Sequence, residues 1–251
     1  MSRRFEQRVV VVTGAGSGIG RAAAQRLADE GGLVACWDVD ETGVQQTASA
    51  IVEAGGQAIA SRCDITDEQA VVDALAAAER RLGFVDVLFA NAGVEGPLQP
   101  VADVELADWR RVIDVNLTGT FLTCKHAIRS MRANGGGAIV ATASILSHVA
   151  TPLWGPYSAS KGGLLQLVRS LATDYASDGI RVNCICPGGV ATALMNRGLE
   201  TMGTPESERR EHVAALATPE QIAAAVAFLA SDDAELMNGA SLMLDQGFTA
   251  T

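Results

Sequence analysis

Short β-branched runs alternate with longer Ala- and Leu-rich amphipathic segments along the whole chain. Few architectures accommodate that order. Strand, helix and strand in succession make a βαβ unit, and repeated units build a parallel sheet with helices on both faces. The segments 8–14, 33–39, 57–64 and 85–93 read as strands, separated by helices at 18–32, 41–56 and 66–83. Glycine pairs stop the first two helices at Gly31-Gly32 and Gly55-Gly56, and Thr66 or Asp67 caps the third. Helical segments near 104–116 and 118–133 lead to a strand at 137–144. A helix over 155–177 leads to a strand at 180–189, then a helix over 219–231 and a last strand near 240–245. The strands are almost continuously apolar, as strands covered on both faces are. The expectation is one α/β domain over residues 1–251, a doubly wound parallel sheet of about seven strands. The stretch 193–218 carries Gly, Pro and mixed charge without a clear strand, and reads as a mobile excursion near the substrate.

Charge narrows the partners. The chain has 251 residues and a net charge of −10. A general nucleic-acid or anionic-membrane binder needs a basic face, so neither is expected. The five cysteines, Cys36, Cys63, Cys124, Cys184 and Cys186, form no C-x-x-C pair. Cys184 and Cys186 sit two apart in an apolar run and share a strand face as small hydrophobes. Neither a disulfide framework nor a zinc site is expected. His126 and His212 lack ligand-like neighbours, so no metal is assigned to them, and the KHAIRSMR stripe (125–132) reads as a solvated helix face. No secretory signal fits the N-terminus. No stretch reaches the roughly 18 apolar residues of a membrane span. The expectation is a soluble, cytoplasmic protein.

TGAGSGIG, Thr13 to Gly20, follows the first strand and opens the first helix. Glycines there let the backbone turn tightly and let a pyrophosphate approach the free N–H groups of the helix start. The spacing is G-x-x-x-G-x-G at Gly14, Gly18 and Gly20; the strict G-x-G-x-x-G fails, because its last position is Ile19. Asp38 lies 18 residues past Gly20, at the end of the second strand. A carboxylate there accepts hydrogen bonds from an adenosine ribose. Asp40 is the better placed helix cap, which leaves Asp38 for the ribose.

YSASK (157–161) places a tyrosine four residues before a lysine, on one helix face. Alone that is weak. TGAGSGIG, the CD at 63–64, NAG at 91–93, NLTG at 116–119, Ser144, YSASK and PGG at 187–189 occur together in order. In that order and spacing the whole chain resembles the short-chain dehydrogenase/reductase family, with its Rossmann-type fold. The tail NGASLMLDQG (238–247) resembles the family's closing strand, with Gln246 where a glycine is common.

The resemblance implies roles. Tyr157 matches the catalytic tyrosine, and Lys161 the lysine that lowers its pKa and hydrogen-bonds the nicotinamide ribose. Ser144 matches the serine that holds the substrate oxygen, and Asn116 the asparagine of a water-linked proton path. Asp64 faces the adenine, Asn91 and Gly93 flank the adenosine ribose, and Thr192 lies near the carboxamide. The same resemblance adds Ser17, Ile19, Ile65, Ala92, Pro187, Gly188 and Val190 to the cofactor set. The chemistry agrees: a phenol of ordinary pKa near 10 is a poor base at neutral pH, and a neighbouring ammonium favours the phenolate.

The substrate side is less legible. His148 lines the pocket or faces water, and Trp154 walls the pocket or packs. Glu95 meets a polar substrate group or is a solvated loop acid. Leu146, Gly189, Met195, Leu199 and Met202 suggest a partly apolar pocket. The resulting expectation is an NAD-dependent enzyme moving hydride between NAD(H) and a secondary alcohol or ketone, and a homotetramer. The alternative is an NADPH-dependent 3-oxoacyl-thioester reductase, against which Asp38 counts. A cofactor-sensing protein with a dead site is a third reading, opposed by the presence of Asn116, Ser144, Tyr157 and Lys161.

Overall fold

The computed structural model describes residues 3–250 except 202, 207 and 210–215. Seven strands form one parallel sheet in the order β3-β2-β1-β4-β5-β6-β7. They are β1 (Val9–Thr13), β2 (Leu33–Asp38), β3 (Gln57–Arg62), β4 (Val87–Ala90), β5 (Gly137–Thr142), β6 (Ile180–Pro187) and β7 (Ser241–Leu244). The order reverses between β1 and β4, the switch point at which doubly wound sheets bind ligands beyond the strand carboxyl ends.

Strand side chains alternate between faces, and both faces are covered. Val9 and Val11 of β1 join Ala35, Leu88, Ile139 and Val182 in one core. That core packs beneath α3 (Glu68–Leu82), α5 (Thr120–Asn134) and α6 (Gly155–Asp174). Val10 and Val12 join Val34, Phe89, Val140 and Ile185 in the other. There α1 (Gly18–Asp29) and α8 (Pro219–Ala230) supply Leu27, Ile222 and Val226, and α2 (Glu41–Glu53) supplies Val44 and Ile51. This is why the strands carry unbroken apolar runs rather than alternating ones. Asp40 caps α2 by accepting from the Gly43 N–H, and Asp67, rather than Thr66, caps α3.

Three local expectations change. The segments 104–116 and 118–133 are not separate helices: α4 (Leu106–Ile113) runs into α5 through a π-helical turn, Asp114–Gly119, that turns Asn116 inward. The stretch 193–218 contains α7 (Ala193–Thr201), whose Leu199 is buried, and a parallel bridge between Val190 and Ala217 joins its base. The stripe 125–132 is only half solvated. His126, Ala127, Ile128, Ser130 and Met131 are buried, while Arg129 and Arg132 face out, as a 3.6-residue period requires. Among the described residues no helix is long and apolar enough to cross a membrane.

Candidate active site

The glycine turn between β1 and α1 is set by backbone needs. Gly14 and Gly18 have φ of +66° and +51°, which L side chains rarely adopt. A Cβ on Gly20 would stand 2.0 Å from the Gly14 carbonyl oxygen, so the third glycine serves helix-to-turn packing. The Arg21 guanidinium donates to the Gly16 carbonyl and to Thr47 Oγ1, and Thr47 donates to the Ala15 carbonyl at 2.8 Å. Ser17 starts α1 without a side-chain cap, and its first turn holds no acid. Such a helix start fits the pyrophosphate of a dinucleotide.

Asp38 ends β2 beside this turn. Its Oδ2 accepts from the Gly16 N–H at 2.8 Å and its Oδ1 from the Asp40 N–H at 2.9 Å. Each oxygen retains acceptor capacity toward a ribose hydroxyl. Asn91 ties three strand ends together. Its N–H donates to Thr13 Oγ1, its Nδ2 to the Thr13 carbonyl, and its Oδ1 accepts from Thr142 Oγ1 at 3.1 Å.

The reactive groups gather past β5. Ser144 precedes a 3-10 turn, Ile145–Ser147, and its hydroxyl accepts from the Leu146 N–H at 3.1 Å. Tyr157 and Lys161 lie one turn apart on α6. The Lys161 ammonium is buried, donates to the Thr142 carbonyl at 2.6 Å and sits 5.6 Å from the Tyr157 ring centroid. Burial pulls its pKa down to about 8. Enclosure by the surrounding protein pushes the Tyr157 phenol up to about 12; the neighbouring Ser144 hydroxyl pulls it down and the Glu95 carboxylate pushes it up. Desolvation dominates the balance of the phenol, and the Lys161 ammonium that faces its ring is held by the Thr142 carbonyl.

Asn116 is fully buried behind the site. Its Oδ1 accepts from the Val94 N–H at 2.7 Å, and its Nδ2 donates to the Val94 carbonyl at 2.9 Å and to Ser160 Oγ at 3.0 Å. Ser160 in turn donates to the Tyr157 carbonyl at 2.7 Å. The amide braces α6 against the loop after β4.

These elements enclose a cleft of about 850 Å³. Its wall includes Gly14, Ser17, Gly18, Ile19, Asp38, Asp64, Ile65, Asn91, Ala92 and Gly93 from the amino-terminal half. From the other half come Ser144, Tyr157, Lys161, Pro187, Gly188, Val190 and Thr192. Leu146, Trp154, Gly189 and Met195 line the substrate end, where the Trp154 ring meets Tyr157 edge-on at 5.4 Å. Gly20, Asn116, Glu95 and His148 do not form its wall. His148 is exposed, with Nε2 3.7 Å from the Cys186 thiol. Met202 and His212 lie outside the described residues.

Sequence reasoning missed Thr142, whose carbonyl holds Lys161, and Ser147, whose hydroxyl donates to the Lys161 carbonyl at 2.9 Å. It also missed Val39, Arg111, Asp114 and Phe248 in the wall. None lies in a motif; the fold alone brings them there. Among the described residues no group of three His, Cys, Asp or Glu side chains forms a metal site.

A glycine turn at a helix start, an acid closing the second strand and a Tyr–Lys helix on one cleft define a dinucleotide-binding oxidoreductase. Comparison makes this specific, and the chain belongs to the short-chain dehydrogenase/reductase family. A family model described as Enoyl-(Acyl carrier protein) reductase matches residues 14–249. A cis-4-hydroxycyclohexanecarboxylate dehydrogenase of Sinomonas cyclohexanicum is 45% identical over 250 residues, covering 100% of both chains. The crystal structure of levodione reductase superposes with a TM-score of 0.94 at 34% identity, over 99% of this chain and 100% of that one. A proposed NAD(P)-dependent gluconate 5-dehydrogenase from Beutenbergia cavernae, with NADP bound at low occupancy, gives 0.89 at 36% identity over 100% of both chains.

Proposed function

We propose that the protein is an NAD-dependent secondary-alcohol dehydrogenase, run in either direction by Tyr157. The observation that carries this reading is the meeting of Ser144, Tyr157 and Lys161 on the wall of a cleft whose far end holds the glycine turn and Asp38. The relative from Sinomonas, a hydroxycyclohexanecarboxylate dehydrogenase by name, supports an alcohol substrate.

The dinucleotide would rest along Gly14 to Gly18, with Asp38 toward the adenosine ribose and Lys161 toward the other ribose. When bound, it supplies the hydride acceptor or donor. The chain's residues do the rest. Ser144 holds the substrate oxygen. Tyr157 takes the proton of the alcohol hydroxyl in oxidation and returns one to the carbonyl oxygen in reduction. With its phenol near 12, the cofactor-free protein carries Tyr157 protonated, the form that reduction uses. Leu146, Trp154 and Met195 give the substrate end an apolar wall.

Asp38 supports NAD over NADP. A 2′-phosphate would place negative charge beside a carboxylate already fixed by two N–H donors, with Asp40 and Glu41 following. The nearby Arg21 is spent on the Gly16 carbonyl and Thr47. The expected ratio of catalytic efficiencies is at least roughly 100-fold, or about 2.7 kcal/mol. Assays of one secondary alcohol with each cofactor, followed by nicotinamide absorbance, test it. Equal efficiencies would overturn the NAD assignment and restore the NADPH-dependent thioester reductase. The proposal includes a homotetramer, supported by uncovered apolar positions on α4, α5 and beside β7.

A further inference from the structure

Ser147 stands in none of the family-like motifs, yet it touches the backbone of two of the three reactive residues. Its hydroxyl accepts from the Ser144 N–H at 3.3 Å and donates to the Lys161 carbonyl at 2.9 Å. Its own N–H donates to the Ser144 carbonyl at 2.9 Å. The turn Ile145–Ser147 is therefore closed on itself by a capping box and stapled through one oxygen to the interior of α6. That helix carries Tyr157 one turn before Lys161. The Ser144 hydroxyl, with one acceptor site taken by the Leu146 N–H, retains its proton and a second lone pair for the phenol and substrate.

The geometry fits a hydroxyl and little else. One group must accept from an N–H and donate to a carbonyl at the same time, which Ser and Thr do and Ala does not. Without it, the turn bearing Ser144 keeps the bonds from the Ser147 and Leu146 N–H groups but loses the one from the Ser144 N–H and this tie to the helix bearing Tyr157. Sub-ångström placement matters at such a site, because acid–base catalysis requires hydrogen-bond reach.

We propose that Ser147 is a positioning residue of the reaction, its hydroxyl fixing the Ser144 turn against α6 so that Ser144 meets the Tyr157 phenol. This rests on the acid–base role of Tyr157 argued above. Ser147 acts through Ser144 and reaches neither substrate nor cofactor.

The test is a set of four variants assayed with a secondary alcohol and NAD across pH. Ser147→Ala lowers kcat about 10-fold, less than the roughly 100- to 10,000-fold of losing an acid–base group outright, while the Kd for NADH stays within about twofold, because the glycine turn and Asp38 are untouched. The rise of kcat with pH in alcohol oxidation moves to higher pH, because the neighbouring Ser144 hydroxyl draws the phenol pKa down. The charged groups facing the phenol, Lys161 on α6 and Glu95 after β4, are unchanged in the variant, as are His148 and Cys186 behind the turn. Ser147→Thr restores both the rate and the pH profile. In a Ser144→Ala background, Ser147→Ala costs nothing further, since its effect runs through Ser144. A wild-type rate in Ser147→Ala, an unshifted pH profile, or a full additional loss in the Ser144→Ala background would each overturn the proposal. A Tyr157→Phe variant that keeps its rate would instead overturn the acid–base reading on which it rests.

Discussion

The Asp38 carboxylate does two jobs with the same two oxygens. It closes the glycine turn through the Gly16 N–H and presents its outer face to the cleft. Its neighbour Val39 is 55% exposed and also forms the cleft wall, so a longer cationic side chain has room there. Asp38→Ala with Val39→Arg is expected to narrow or reverse the NAD preference, read as the ratio of kcat/KM values for the two cofactors. An unchanged ratio would show that the carboxylate does not face the ribose. Residues of this kind were legible in sequence because their chemistry is concentrated in short strings at strand ends. Thr142 and Ser147 were not, because they act on backbone groups of residues distant in the chain. Phe248 and Arg111 were hidden for another reason: only the folded sheet brings the carboxyl-terminal tail and α4 to the same cleft.

Elements were legible wherever a hydrophobic period ran cleanly. The strands of the parallel sheet are short apolar runs, and Asp40 and Asp67 cap the helices that follow two of them. The α4–α5 junction was illegible because a π-helical turn absorbs an extra residue without interrupting the helix, which no periodicity reveals. A second illegible feature is the clamp at the end of α1. The Glu30 side chain is only 3% exposed, and Arg4 Nε, Arg4 Nη2 and Arg26 Nε approach it at 2.6, 2.9 and 2.5 Å. Burial alone would push its carboxyl up, but the two guanidiniums together hold it below the usual carboxylate range. A carboxyl lowered in the folded state contributes stability above the unfolded value and loses it as pH falls through the folded one. Glu30→Gln is expected to cost about 2 kcal/mol at neutral pH, or roughly 5 °C in Tm for a chain of this size. The difference from wild type should begin to shrink on acidification below about pH 4, where the unfolded carboxyl takes up its proton, and vanish only at the lower pH where the folded carboxyl is protonated too. Melting curves at neutral and acid pH check this; identical midpoints at neutral pH would show the clamp to be idle.

The whole molecule leaves apolar surface that one sheet does not cover. Leu106 on α4 and Phe121 on α5 are 57% and 43% exposed, and Leu236, beside the sheet edge β7, is 94% exposed. Two separate faces of this kind suit paired dimers of closed symmetry, and an uncovered edge strand needs protection. Sedimentation at micromolar concentration is expected to show a tetramer, and a monomer alone would contradict that. The role of Tyr157 in the cleft is tested by turnover. In Tyr157→Phe the ring packs as before against Trp154 and only the hydroxyl is lost. The decisive measurement is kcat for a secondary alcohol with NAD in Tyr157→Phe and wild type, alongside the Kd for NADH. The account predicts a loss of about 100-fold or more in kcat with NADH binding retained. A variant keeping more than about a tenth of the wild-type rate, against that expected loss, would contradict Tyr157 as the acid and base of the reaction.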